Sequence, residues 1–371
     1  MTEAVPKTEA LPKNVVLSQI ASVMRLELRK SFFARRGLWI YLLAFGPALL
    51  YLIHAINTTR DHEHRQAMMK AHPVDTAALH LVRGGMTDQE VEALLGEPYQ
   101  KNEFRFGRRQ GGDIKTYRYT DGDSDFAFVF IDGTIPPNRG INQQDRCNLT
   151  KDSAIFATVF QFFYLRLAVF FGCVGIFTNL FRGEMLDKSL HFYLLAPMRR
   201  EVLLAGKYLA GLAASVVIFT TGTALQIAAL SWHFEPGQVA AYMHGTGWSD
   251  IAAYLGVTAL ACVGYGSIFL AAGLVFRNPI VPATAVMLWE GINLFLPASL
   301  KKISVIYYLQ SLCPTVAAPE SDINPLLRML ISSTEPPAAW LAVGGLMLVT
   351  LAVLTVAAMR VRRLEINYGT E

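Results

Sequence analysis

Few side chains in this 371-residue chain are spaced as reactive groups usually are. No G-x-x-x-x-G-K-[ST] phosphate loop occurs. Gly183-Glu184 and Gly206-Lys207 lack its spacing, so the chain is not expected to bind ATP by that device. His191 and His244 are isolated, and no His/Asp/Ser set converges at one depth of the apolar segments, which argues against an intramembrane enzyme. The 4 cysteines contain no C-x-x-C pair, so neither a zinc site nor a disulfide framework is indicated. Asp113, Asp121, Asp123 and Asp125 lack the glycine and terminal glutamate of an EF-hand and read as solvated turns. His54, near the end of an apolar run, reads as an interfacial side chain and not a ligand. No catalytic, cofactor-binding or metal-binding residue is expected.

What remains is charge in costly places. A charge at mid-bilayer costs about 2.5–3.5 kcal/mol on insertion scales. Arg166 and Glu290 both lie inside span-length apolar runs, roughly twelve and eleven residues from an end, or about 18 and 16 Å at 1.5 Å per residue. Both fall near the midplane. One reading pairs them across the second and fifth spans, within a chain or across a dimer; the other gives each its own contacts with backbone or water. A second cluster, Arg182, Glu184, Asp187, Lys188, Arg199, Arg200, Glu201 and Lys207, separates two apolar segments and must face water.

These charges are positioned by helices. The chain is 53% hydrophobic and 17% charged, against about 25% charged for soluble domains. About 20 apolar residues cross a 30 Å core. Six spans are expected, at 38–57, 153–181, 207–233, 250–276, 279–296 and 338–359. Pro47 falls inside the first. Residues 1–14 read as a disordered tail and 15–36 as a basic amphipathic helix on the membrane surface, with Val16, Ile20, Val23 and Leu26 on its apolar face. Residues 297–337 are broken by prolines, with apolar pieces too short to cross. The segment 234–249 reads as a short loop without Lys or Arg. Basic residues at the N-terminal flank, in 182–206, at Arg277 and in 360–371 share one side, which the positive-inside rule makes cytoplasmic. Lys301 and Lys302 are the outer-side exception, placed where snorkelling is easy. Both termini are then inside and 58–152 outside, in a cell inner membrane. Cys147 and Cys313 both fall outside, where a disulfide is chemically allowed; Cys173 and Cys262 read as packing residues.

In the 182–206 loop, Arg182-x-Glu184 follows a span end. A short amphipathic run to Leu195, a stop at Ala196-Pro197, the pair Arg199-Arg200 and then Lys207 come before the next span. This order resembles the cytosolic loop of type-2 ABC transporter permeases, the membrane subunits of exporters. The elbow helix before the first span and the broken outer segment before the last are similar to that family too. The resemblance implies a homodimer or heterodimer of permeases. It also implies a separate ATP-binding cassette subunit that carries ATP and Mg and docks on the loop through Glu184, Leu195, Pro197, Arg199 and Arg200. Membrane lipids are the remaining partner, and no nucleic acid is expected.

The insertion has its own grammar. Thr87 and Glu90 form a capping box, Val91, Leu94 and Leu95 one helix face, Gly96 a C-cap, and Pro98 follows. Strand-like runs at 101–106, 114–119 and 126–131 end at the Asp132-Gly133 turn. The phrase from Gly85-Met86-Thr87 to Leu94-Leu95-Gly96, followed by a meander, looks like the SmpA/OmlA (BamE-like) domain over 79–135, a small module of Gram-negative envelopes. The expected fold is therefore all-α in the membrane with a small α+β extracytoplasmic domain between spans 1 and 2. The expected function is the permease subunit of an ABC exporter. The alternative is an envelope interaction module that transmits force to a periplasmic partner at 79–135 without moving a substrate.

Overall fold

The computed structural model describes residues 13–33, 37–105, 113–137, 141–145, 149–186, 198–276, 278–314 and 337–362. They form two units.

The first unit is helical, as lipid requires of a chain that must satisfy its backbone internally. It comprises Met1–Leu49, Ala154–Ala228 and Tyr242–Glu371. Helix α1 spans Lys13–Phe33 and α2 spans Leu38–Ala71, running through Pro47. Five helices among the described residues are long and apolar enough to cross a membrane: Leu38–Ala71, Asp152–Met185, Arg200–Ser231, Pro236–Val275 and Ala339–Arg362. The chain is thus a multi-pass α-helical membrane protein with a small sheet.

The stretch expected as the fifth span, 279–296, is different. Its α-helix, Ile280–Gly291, has 12 residues and gives way to a 3-10 turn at Ile292–Phe295. Twelve residues cover about 18 Å, well short of a bilayer core. Leu296 is extended ahead of Pro297, the conformation proline imposes on its predecessor. The 234–249 segment also departs from its expected loop. Pro236–Tyr242 is helical and continues through a π-helical turn at Met243–Gly247, with a kink at Gly245. Asp250 holds that turn by accepting from Tyr242 Oη and Thr246 Oγ1, both at 2.9 Å.

In the second unit, Leu50–Ser153 with Ala229–Ala241, the short helices α3 (Thr76–Leu79) and α4 (Asp88–Leu95) precede four strands. Strands β1 (Gln100–Arg105), β2 (Asp113–Thr120), β3 (Ser124–Ile131) and β4 (Ile141–Asp145) form an antiparallel sheet in chain order. The alternating Phe126, Phe128 and Phe130 of β3 point to one face, as the two-residue period of a strand demands. They bury against Tyr117, Tyr119, Leu79, Val91 and Leu95. The capping box of α4 is present in both directions: Glu90 N donates to Thr87 Oγ1, and Thr87 N to Glu90 Oε2. Leu94 turns out of the expected helix face and is exposed. Asp132 and Gly133, at φ 53° and 82°, make the two-residue turn after β3, a left-handed pair that Asp-Gly favours. Asp121 closes the β2–β3 turn by accepting from Asp123 N and Ser124 N, so it acts as a turn residue.

After β4, helix α5 (Leu149–Val159) passes through a π-helical stretch at Phe160–Val169 into α6 (Phe170–Leu186). Asp152 sits in the first turn of α5. The remaining helices are α7 (Arg200–Ser231), α8 (Pro236–Tyr242), α9 (Trp248–Val275), α10 (Ile280–Gly291), α11 (Ala298–Lys301), α12 (Val305–Leu312) and α13 (Ala339–Arg362). Helix α9 is central: it packs on α6, α12 and α13. Close approach of α7 to α2 depends on Gly222, where a Cβ would lie 2.5 Å from the Ala44 carbonyl oxygen.

Candidate functional site

Lys207 is fully buried (0% exposed), one and a half turns or more inside α7. Such a cation must be neutralised and hydrogen-bonded to be tolerated. Its Nζ donates to Glu27 Oε1 of α1 at 2.6 Å and to the Leu180 carbonyl oxygen of α6 at 2.8 Å. It also lies 2.7 Å from Glu184 Oε2. Lys30 Nζ donates to Glu184 Oε1 at 3.1 Å. Two lysines and two glutamates thus balance across α1, α6 and α7. Burial pushes the Glu27 carboxyl above its ordinary value, with Lys207 opposing that shift.

Apolar packing follows the same line. Val23 of α1 is buried, and a Cβ on Gly206 would fall 2.9 Å from Val23 Cβ. The buried stripe of α1 is therefore Val23 and Glu27, one turn apart, whereas Leu17 and Leu26 are exposed. Of the expected apolar face, Val23 packs on the bundle and Val16 and Ile20 are half-buried, while Leu26 alone is turned out.

The expected docking residues divide by position. Leu195 and Pro197 lie outside the described residues, as do Cys147, Arg277 and most of the 297–337 segment. Glu184 is buried in the Lys207 network and is a strut of the fold rather than a free surface group. Arg199 is exposed, and its carbonyl oxygen accepts from Val202 N and Leu203 N at the start of α7. Arg200 Nη1 donates to the Arg362 carbonyl oxygen at 2.9 Å, and Arg362 Nε donates to Glu201. The first turn of α7 is thereby tied to the end of α13.

The two charges expected near the midplane, Arg166 and Glu290, are held differently. Glu290 is buried and caps α12: it accepts from Ser304 Oγ, from Val305 N at 3.0 Å and from Ile306 N at 3.1 Å. These are the unpaired amides of a helix N-terminus, where an anion is favoured. Arg166 lies over the Phe162 ring, 5.3 Å from its centroid. Its Nε and Nη2 are buried without a hydrogen-bond partner. Within this chain the Glu290 carboxylate is occupied by Ser304 and two backbone amides, not by a direct ion pair with Arg166. Cys313 is a buried free thiol, as are Cys173 and Cys262.

Sequence reasoning missed Glu27, Lys30 and Lys207 as one unit. The available signal was an acidic residue in an otherwise basic amphipathic helix, one turn after its apolar stripe. Compared with known proteins, the chain matches no protein-family model and no curated protein.

Proposed function

We propose that this chain is the membrane subunit of an ABC exporter, energised by a separate ATP-binding subunit that docks on the 182–206 segment. The observation that carries this reading is the Lys207 network. It joins the helices on both sides of residues 187–197 to each other and to α1. A force applied to that segment would reach α1, α6 and α7 together, as a coupling element requires. Arg199, exposed at its end, is a docking residue in this reading, and Glu184 positions the segment. Two copies, or this chain and a similar permease, enclose the path. In the orientation proposed, both termini face the cytoplasm of an inner-membrane protein. The short helix α10, Ile280–Gly291, belongs to the remaining, interrupted crossing in this reading.

Purification of the full-length chain from its native membrane in mild detergent, followed by mass spectrometry, tests this. An ATP-binding subunit is expected to co-purify and to be lost with Arg199→Glu/Arg200→Glu. A stable complex containing no ATP-binding subunit would overturn the reading.

One observation favours the alternative, an envelope interaction module. Phe104, Ile114 and Ile131 stand opposite one another across β1, β2 and β3. Phe104 and Ile131 are exposed. This apolar row suits a periplasmic partner, and an envelope protein retained without any ATPase would support that function.

A further inference from the structure

Three segments far apart in the chain bring His54, Asp152 and His233 together inside the second unit. His54 lies on α2, Asp152 in the first turn of α5, and His233 just after α7. One donor atom from each lies within 4.8 Å of the other two. His233 Nε2 and Asp152 Oδ2 are already 3.3 Å apart. In a tetrahedral zinc shell, with metal–donor bonds of about 2.0–2.2 Å, neighbouring donors stand about 3.4 Å apart. That pair therefore has the separation of two ligands on one ion.

The surroundings of His233 supply an independent observation. Its side chain is fully enclosed (0% exposed). Its Nδ1 is buried without a partner, and its ring packs on Phe234 with centroids 4.0 Å apart. With Nδ1 shut away from solvent and from any partner, Nε2, the nitrogen facing Asp152, is the one available to an ion. The His54 ring meets it edge to face at 5.7 Å. Asp152 is mostly enclosed, whereas His54 is exposed. Two of the three side chains are thus enclosed, and the third stands on the open side.

We propose that His54, Asp152 and His233 form a binding site for a divalent transition-metal ion of the zinc class. Two imidazoles and one carboxylate suit zinc, copper or nickel, whereas magnesium and calcium favour all-oxygen sets. The ion clamps α2, α5 and the end of α7 to one another. The site goes beyond the transport reading and does not depend on it. It replaces the sequence-level view of His54 as a simple interfacial side chain.

The test uses the full-length chain in detergent, freed of any affinity tag, stripped with chelator and dialysed against micromolar zinc. About one zinc per chain is expected by elemental analysis, together with a rise in melting temperature on loading. Cobalt in place of zinc should give visible absorption of tetrahedral intensity. His54→Ala, at an exposed position, should keep the metal-free melting temperature. It should weaken zinc binding at least about tenfold, as loss of a metal-supporting group does, and abolish the cobalt band. His64→Ala, also exposed but outside the cluster, should leave both unchanged. Two results overturn the site: a wild type that takes up no zinc at micromolar concentration, and a His54→Ala variant that binds zinc as tightly as wild type.

Discussion

Lys207 is fully buried, with a carboxylate on either side and the Leu180 carbonyl at its third position. Removing one member of a buried ion pair leaves the other uncompensated, at a cost of about 3–5 kcal/mol. Lys207→Met should therefore lower the melting temperature in detergent sharply. Adding Glu27→Gln should restore part of the loss, since Glu184 keeps Lys30. In the second unit, Thr87→Ala removes one side of a closed capping box and should cost about 1 kcal/mol, read as faster amide exchange in α4. The Lys115 ammonium, 2.6 Å from Asp88 Oδ2, holds that carboxyl below its ordinary value. The sign of the linkage follows. The contribution is fully present above the usual aspartate range near about 3.9 and is lost as pH falls through the lower folded value. Exchange protection of α4 and β2 amides should decline on acidification below about pH 4, and Lys115→Met should flatten that decline.

At the scale of elements, close helix approach is the main device. A side chain at Gly206 meets Val23, and one at Gly222 meets the Ala44 backbone. Gly222→Leu should cost more than Gly206→Leu, because a carbonyl group cannot rotate away as a side chain can. Overpacking of this kind typically costs about 1–3 kcal/mol, and thermal melts of the two variants check the order. Elements with local causes were legible in the sequence. Helix α4 carries its start, face and stop within ten or so residues, and β2 and β3 alternate apolar and polar groups. Strand β4, Ile141-Asn-Gln-Gln-Asp145, has one apolar residue and was invisible to periodicity; pairing with β3 makes it a strand. The helix at Pro236–Tyr242 reads as a loop in the sequence because Pro236 and Gly237 open it, yet its backbone bonds, including Val239 N to the Glu235 carbonyl, are made. The π-helical stretch around Arg166 has no sequence signature, since only an altered hydrogen-bond register defines it.

For the whole molecule, hydropathy marks the five helices that are long and apolar enough to cross a membrane, because solvent selects such runs at the scale of twenty residues. It did not find the interruption of 279–296, which turns on the local geometry of Leu296-Pro297. Nor did it find the Glu27–Lys207 pair, whose members are 180 residues apart. Charge balance across such a distance is a property of the folded chain alone. The account rests on this network serving as the rigid frame of an ATPase docking site. The most direct measurement is ATP hydrolysis by the complex purified with this chain and reconstituted in lipid vesicles. Vanadate-sensitive hydrolysis should be present and should fall at least about tenfold, roughly 1.4 kcal/mol or more of coupling, in Arg199→Glu at unchanged melting temperature. Absence of hydrolysis from a folded, lipid-reconstituted complex, or hydrolysis indifferent to the charge reversal, would contradict it.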